Sequence, residues 1–361
     1  MDATDPALLA LVDRVMQARR EGSSLCLRGG GTKDFYGGAL EGDVISTGVY
    51  AGIIDYEPTE LVITARAGTS LAAIESAMKA RGQMLAFEPP HFGSGSTVGG
   101  AIASGLAGPR RPYSGAVRDL VLGIKVIDGA GEHLTFGGQV MKNVAGFDVS
   151  RLMTGALGTL GVITEVSLKC LPMPRAEATI AFDCSADEAN RRVNEWGGQP
   201  LPLSATCFHD GRLAVRLSGA QPAVDAALTK LGGKAVVEAD SFWASVRDHS
   251  HRFFVECATS ASPLWRLSVR QTAPYTDFGG DQLIEWGGGL RWLAANDRVD
   301  PGKLRTWCAA QGGHATLFRA EAKTVDVFHP LEPAMLALHR RLKAVFDPQN
   351  IFNRGRFVSG L

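Results

Sequence analysis

Three absences narrow the possibilities for this chain before any motif is read. Neither charge is in surplus, with Lys plus Arg and Asp plus Glu balanced at 37 against 37. That removes the bulk electrostatic reason to expect nucleic acid or an anionic membrane as a partner. No apolar run reaches the ~20 residues a membrane span needs. The opening MDATDPALLALVDRVMQARREG is acidic before it is apolar, unlike a secretory signal, so a soluble cytoplasmic protein is expected. The six cysteines, Cys26, Cys170, Cys184, Cys207, Cys257 and Cys308, contain no C-x-x-C pair. Scattered thiols argue against a zinc site or an iron–sulfur cluster, so no metal site is expected, and they read instead as small buried residues in a reducing compartment. Also missing are G-x-G-x-x-G at the first glycine loop and any G-x-x-x-x-G-K-[ST], the two best-known phosphate fingerprints.

What the chain does have is glycine, in two places. The run Pro89 to Gly115, PPHFGSGSTVGGAIASGLAGPRRPYSG, is too bare to be a good helix or strand by propensity. Its use is close approach of main-chain N–H groups to a ligand, or else a flexible linker. Val98, Ala101, Ile102, Ala103 and Leu106 recur at near-helical spacing, which favours a ligand loop leading into a short buried helix. Earlier, a strand at Ser24–Leu27 runs into Arg28-Gly29-Gly30-Gly31-Thr32-Lys33. Backbone donors, room for approach and a countercharge make that a candidate pyrophosphate cradle, with an ordinary glycine-rich turn as the alternative reading.

At 361 residues the chain has room for two or three domains. Asp5-Pro6 caps a helix carrying Leu8, Leu11, Val12, Val15 and Met16, and Ser70 caps another. Strands are expected at Val44–Gly48, Leu61–Gly68, Leu120–Ile127, His133–Phe136 and Gly161–Leu171, with Asp128-Gly129 as a hairpin turn. After Pro172-Met173-Pro174 glycine thins and a β-α-β-β-α-β order follows, that of a ferredoxin-like half-domain, with a weaker second pass to Arg319. An amphipathic helix ending near Phe346 and stopped by Asp347-Pro348 leads to an irregular tail.

Several segments together resemble one family. Arg28 to Lys33, the run from Pro90 through Thr97-Val98-Gly99-Gly100 to Val117–Gly123, and Gly155 through Gly158 to Glu165 are similar to the FAD-binding domain of the vanillyl-alcohol-oxidase or PCMH-type flavoproteins. The tail Phe346-Asp347-Pro348 to Asn353–Arg356 and the segment Lys142–Asp148 resemble the 2-hydroxy-acid oxidoreductase branch, in particular the FAD-binding subunits of glycolate oxidases. The resemblance implies an α+β fold: a PCMH-type two-lobed FAD-binding domain over residues 1–173, a ferredoxin-like cap domain over 174–325, and a C-terminal segment, 326–361, returning to the first domain. It implies FAD held by Arg28, Gly29, Gly30, Gly31, Thr32 and Lys33 on one side of the pyrophosphate and by Pro90, Thr97, Val98, Gly99, Gly100 and Ala103 on the other. Gly161, Val162 and Ile163 would lie along the adenosine side, and Asn353 near the flavin ring. With Thr32, Lys33 and Asp34 where some relatives carry a linking histidine or cysteine, FAD is expected to be non-covalent. His91 reads as a polar contact or loop residue.

The same resemblance implies oxidation of glycolate to glyoxylate within a complex containing a catalytic FAD subunit and an iron–sulfur subunit. A small 2-hydroxy acid would be the substrate, nucleic acid is not a partner, and any contact with a membrane would pass through partners. One departure bears on the chemistry. The histidine motif HGDGNxH of the catalytic relatives is reduced here to Gly312-Gly313-His314-Ala315-Thr316. A 2-hydroxy acid needs a base for its hydroxyl and a cation for its carboxylate, so no catalytic residue is assigned from sequence. His249 and His251 read as solvated or capping residues, and Arg110 and Arg111 as carboxylate binders or salt-bridge partners. A self-sufficient D-2-hydroxy-acid dehydrogenase and a non-catalytic assembly subunit stand as alternatives.

Overall fold

The computed structural model describes residues 5–138, 148–296 and 298–358. The Lys142–Phe147 part of the tail-branch resemblance lies outside the described residues. Its structure begins with the helix Pro6–Glu21, where the Asp5 carboxylate accepts from the Ala7 N–H at 2.9 Å. That helix buries Leu8, Leu11, Val15 and Ala18 against a parallel strand pair, Leu25–Arg28 with Asp43–Ser46. The pair, the helix and the tail residues Ile351 and Phe352 share one core. This is the first lobe.

The second lobe is a five-stranded antiparallel sheet in the order Ile53–Glu57, Val62–Arg66, Val162–Lys169, Val121–Ile127 and His133–Gly137. The helix Leu71–Lys79 covers it, capped by Ser70 at 3.2 Å from the Ala73 N–H. Its Leu71, Ile74 and Met78 are fully buried, as their spacing requires. The helix Val98–Ser104 packs into the same core through Val98, Ala101 and Ile102. The turn at Asp128 is not a two-residue hairpin. The Asp128 carboxylate accepts from the N–H groups of Ala130 and Glu132, and the Gly129 N–H donates to the Phe346 carbonyl. A contact to the tail fixes that loop, which local turn propensity cannot reveal.

From Ala176 to Arg319 the expected half-domain and its weaker second pass form one continuous eight-stranded antiparallel sheet. The first four strands lie in the order Lys234–Ala235, Ala176–Asp183, Arg212–Gly219, Leu203–His209. The last four repeat that order in mirror sense, Asp281–Glu285, Leu290–Ala294, Leu264–Ser268, His314–Arg319. Each set is the fourth-first-third-second order of a ferredoxin-like unit, and the two join edge to edge through Cys207 opposite Glu285 and Phe208 opposite Ile284. Helices Ala186–Gly197, Gln221–Leu231 and Pro301–Ala310 cover one face. The other face packs against helices Ala239–Arg247 and Arg252–Thr259 and against Tyr36, Leu106 and Leu157 from the lobes. The architecture is therefore a PCMH-type two-lobed domain with a ferredoxin-like cap.

Two devices hold these parts together. Glu88 of the second lobe accepts from Arg110 and from Arg216 of the cap sheet, while Arg110 also reaches Glu177 at 2.6 Å. Two guanidinium groups and two carboxylates balance in one network, in which Arg110 and Arg216 are buried, Glu88 is half-buried and Glu177 reaches the surface. At the other end the helix Pro333–Phe346 carries Lys343, whose Nζ donates to the Asp347 carboxylate at 2.6 Å, the Thr159 carbonyl at 2.6 Å and the Phe352 carbonyl at 3.0 Å. Asp347 in turn accepts from the N–H groups of Ile351 and Phe352. Five of the six cysteines are buried, Cys184 is half-buried, and all six are free. Among the described residues no helix is long and apolar enough to cross a membrane.

Removing one partner of a buried ion pair leaves the other charge uncompensated, at a cost of about 3–5 kcal/mol. Asp347→Ala is accordingly expected to lower the unfolding free energy of the chain by about that amount, read as a fall in the urea midpoint. Replacing Lys343 and Asp347 together by Met and Leu is expected to restore most of it.

Candidate functional site

Strand Leu25–Arg28 delivers the first glycine loop, and the loop before helix Val98–Ser104 meets it. The meeting is close enough that a Cβ on Gly30 would sit 1.5 Å from the Gly95 carbonyl oxygen. Gly31 turns the loop with φ +71°, which favours glycine. Among the described residues the N–H groups of Gly30, Gly31, Thr32 and Lys33 find no acceptor. Gly30 is exposed, but Gly31, Thr32 and Lys33 are half-buried, and half-buried N–H groups without partners are costly unless water or a ligand meets them. In the second loop the arrangement differs from a simple opposed array. The N–H groups of Val98, Gly99 and Gly100 donate to the Thr69 carbonyl, the Ala67 carbonyl and Thr97 Oγ1. Free donors on that side come instead from Gly95 and Thr97, which have no acceptor among the described residues.

Below these loops runs one groove formed by two connected clefts, open to solvent and holding about 530 and 420 Å³ with the solvent at their mouths counted. Arg28 to Lys33, Thr97, Gly100, Ala103 and Asn353 line the first. Gly99, Gly161, Val162 and Ile163 line the second, which shares Arg28, Gly29, Gly100 and Ala103 with it. Two residues expected at the site lie elsewhere. Val98 is fully buried in the second-lobe core, and Pro90 lines a separate cavity beneath the cap sheet. Asn353 lines the groove but spends its amide on the protein. Its Oδ1 accepts from the Leu27 N–H at 2.7 Å and its Nδ2 donates to the Leu157 carbonyl at 2.6 Å.

Cations surround the first cleft. Lys33 Nζ donates to Ser96 Oγ at 2.9 Å, and burial draws its pKa down to about 8, so it remains protonated at neutral pH. Arg28 pairs with Asp34. Arg356 donates to the carbonyls of Lys33 and Asp34 at 3.1 and 3.0 Å, which fixes the loop's shape from behind. Arg356, Asp34, Leu157 and Gly158 line the groove without having been singled out as site residues. Their signal was present, since Arg356 closes the tail motif and Leu157 and Gly158 stand inside the segment Gly155–Glu165.

The histidines separate clearly. His91 turns its ring to Glu75, Nε2 to Oε1 3.1 Å. His251 caps helix Arg252–Thr259, accepting from the Phe253 N–H. His249 is neither solvated nor a cap. Its ring stacks on Phe254 at 3.8 Å in an aromatic cluster with Phe92, Trp292 and Phe318. Arg110 is a salt-bridge partner, whereas Arg111 lies over the Trp286 ring at 4.5 Å.

Unpaired N–H donors, nearby cations and a flanking apolar floor at Val162 and Ile163 fit a diphosphate carrying ring systems at its ends. A Cβ on Gly100 would meet only Thr97 Oγ1, at 3.2 Å, while its α-carbon borders both clefts. Gly100→Leu is therefore expected to leave a folded chain by circular dichroism and to empty it of flavin, measured as the 450 nm to 280 nm absorbance ratio after gel filtration.

Comparison with known proteins adds identity to this geometry. Residues 9–137 match the family described as FAD binding domain, and residues 329–357 match FAD linked oxidases, C-terminal domain. The glycolate oxidase subunit GlcE of Escherichia coli (strain K12) is 46% identical over 98% of this chain and 97% of its own length. The glycolate oxidase subunit GlcD of Bacillus subtilis (strain 168) is 33% identical over 49% of this chain and 36% of its own. A D-lactate dehydrogenase of Archaeoglobus fulgidus is 25% identical over 93% of this chain and 86% of its own. A solved structure of alkyldihydroxyacetonephosphate synthase superposes over 96% of this chain and 75% of its own, with a TM-score of 0.63 at 16% identity, which shows a shared fold. The chain thus belongs to the FAD-linked oxidases, in the family that contains the glycolate oxidase subunit GlcE, and FAD is its cofactor.

Proposed function

We propose that this chain is the FAD-binding subunit of a multisubunit glycolate oxidase, which oxidises glycolate to glyoxylate and passes electrons to an iron–sulfur partner subunit. The observation that carries the reading is the 46% identity to a glycolate oxidase subunit along 98% of the chain. GlcE and GlcD are names of separate subunits, which supports an assembly. The scattered cysteines support a cluster held by another chain.

FAD, when bound, supplies an acceptor for the hydride of the alcohol carbon. The chain's own residues bind and orient it. The N–H groups of Gly30 to Lys33 and the Lys33 ammonium would face the pyrophosphate, acting as charge-assisted donors in a half-buried site. Gly161, Val162 and Ile163 would bear on the adenosine side. Asn353 and Arg356 act at one remove by fixing Leu27, Leu157 and the loop carbonyls. Attachment is non-covalent, because the first loop offers Thr32, Lys33 and Asp34 and the His91 ring is turned to Glu75.

The purified chain is expected to show an oxidised-flavin spectrum that denaturation releases completely into the supernatant. Glycolate added without oxygen to the assembled complex is expected to bleach it. A colourless chain would overturn the cofactor assignment, and a flavin that stays oxidised in an active complex would remove substrate oxidation from this subunit.

A further inference from the structure

The helix Pro333–Phe346 has its polarity reversed. Its buried residue is Lys343, whose ammonium is held by the Asp347 carboxylate and the carbonyls of Thr159 and Phe352. From Pro333 to Val345 every exposed residue is apolar except Arg340 and Arg341. Met335, Leu338 and Val345 leave 47%, 38% and 73% of their surface open. Ala334, Leu338, Arg341 and Val345 stand at i, i+4, i+7 and i+11, which is one stripe of an α-helix, and Lys343 lies on the opposite side. The opening helix Pro6–Glu21 shows the ordinary arrangement, with Leu8, Leu11, Val15 and Ala18 buried and Asp13, Arg19 and Arg20 exposed. A helix of this length draws most of its stability from packing an apolar face. Here the ring contacts to the rest of the chain are His339 on Phe357 and Phe346 against Phe136, and the apolar stripe points away from both.

Beside the helix runs an open groove lined by Lys323 and His329 as well as by Phe328, Leu331, Leu336 and Phe357. It holds about 1190 Å³ with the solvent at its mouth counted, more than either cleft of the cofactor groove. Leu336 belongs to both helix and groove, so the stripe and the groove flank the same helix. Exposed apolar surface gathered in this way marks contact with another molecule.

The charges choose among the candidates for that molecule. Arg340 and Arg341 form no ion pair or hydrogen bond with any described residue. A second copy of the chain, related by a two-fold axis, would set this face against itself and bring arginine towards arginine with no acid on the stripe to offset them. A bilayer would draw Arg341, which stands within the apolar stripe, into its apolar layer, whereas interfacial helices keep their charges on the opposite face. A protein partner can meet Arg341 with a carboxylate. Ala334, Ala337 and Ala344 on the outward side let a second helix come close, since the separation of packed helices is set by the side chains between them.

We propose that the outward face of helix Pro333–Phe346, with the groove beside it, is the docking surface for another protein subunit, which lays an apolar helix along the stripe and turns a carboxylate to Arg341. The inference rests on the multisubunit reading for the existence of that subunit. The helix ends in the Lys343–Asp347 anchor, and the tail beyond it carries Asn353 and Arg356 to the cofactor groove. Subunit contact and cofactor site therefore share one segment.

The test co-expresses the full-length chain with the catalytic FAD subunit and the iron–sulfur subunit of its oxidase, and reads dissociation of the assembly by mass photometry over a dilution series. Leu338→Asp combined with Arg341→Glu is expected to weaken assembly by ~30-fold or more, the loss of central interface contacts, with flavin content and circular dichroism of the chain unchanged. Val237→Glu, at a side chain 96% exposed on the cap, is expected to change nothing. Should the double variant fail to fold, Val345→Glu decides in the same way. An assembly as tight with the variant as with wild type overturns the inference and leaves the multisubunit reading standing. A yellow wild-type chain that joins neither subunit removes that reading and the proposed occupant together. A dimer of the chain alone that Val345→Glu dissolves would overturn the proposal in favour of a second copy. Sedimentation with vesicles of equal parts phosphatidylcholine and phosphatidylserine, lost in the double variant, would overturn it in favour of a membrane.

Discussion

The close approach of two bare backbones is the constraint from which the rest of this structure follows. Where Gly30 passes Gly95 there is no space for a methyl group, and that contact sets the width of the groove between the lobes. Such an approach gains little from side-chain burial, so it must be held from outside. Arg356 grips the first loop through its carbonyls, Asn353 fastens strand Leu25–Arg28 to Leu157, and the Lys343–Asp347 pair anchors the tail that carries both. Folding of the groove is thereby coupled to the last thirty or so residues, far away in sequence. A loop rich in glycine would otherwise keep too much conformational freedom to present its N–H groups in one direction.

The cap is held to this scaffold by a different kind of contact. Glu88, in the left-handed region at φ +47°, sends its carboxylate to Arg110 in its own domain and to Arg216 in the cap sheet. Buried charges that are fully matched contribute little net stability compared with an apolar contact but are intolerant of displacement. The network therefore fixes where the cap sheet sits over the second lobe, and with it the height of the cavity lined by Arg266 and His249.

Sequence reading was strongest where a residue's demand is local. Asp5 and Ser70 cap because their side chains reach the next turn, and the spacing of Leu71, Ile74 and Met78 names the buried face without reference to anything distant. The glycine loops and the tail motif were legible for a related reason, since bare backbone at those spacings has few other uses. The strand Leu290–Ala294, the helices Ala239–Arg247 and Arg252–Thr259, and the continuity of the eight-stranded sheet were not legible. Each depends on pairing across tens of residues, and a segment such as Leu290-Arg291-Trp292-Leu293 carries apolar residues on both faces that period-2 alternation does not mark. Val98 shows the converse error. It sits inside a ligand-loop motif, yet the helix it opens turns it into the core.

Arginine illustrates why a side chain's role can escape a sequence altogether. Arg110, Arg111, Arg216 and Arg266 are indistinguishable as letters, and the first two are neighbours. In the fold Arg110 turns to Glu88 and Glu177 and is neutralised, while Arg111 turns to the face of Trp286, where Arg266 arrives from a strand more than 150 residues later. What separates a neutralised guanidinium from one left to the faces of indoles is the presence or absence of a carboxylate within reach, and only the paired sheet decides that. Among the described residues the carboxyl group that acts on Arg266 is Glu285, itself drawn up to about 7 by burial, with its Oε2 accepting from the Trp292 indole at 2.8 Å. A carboxyl group close to half-protonated at neutral pH offsets only part of the Arg266 charge, and Arg111 beside the same Trp286 ring is disfavoured first by its own desolvation and then by Arg266.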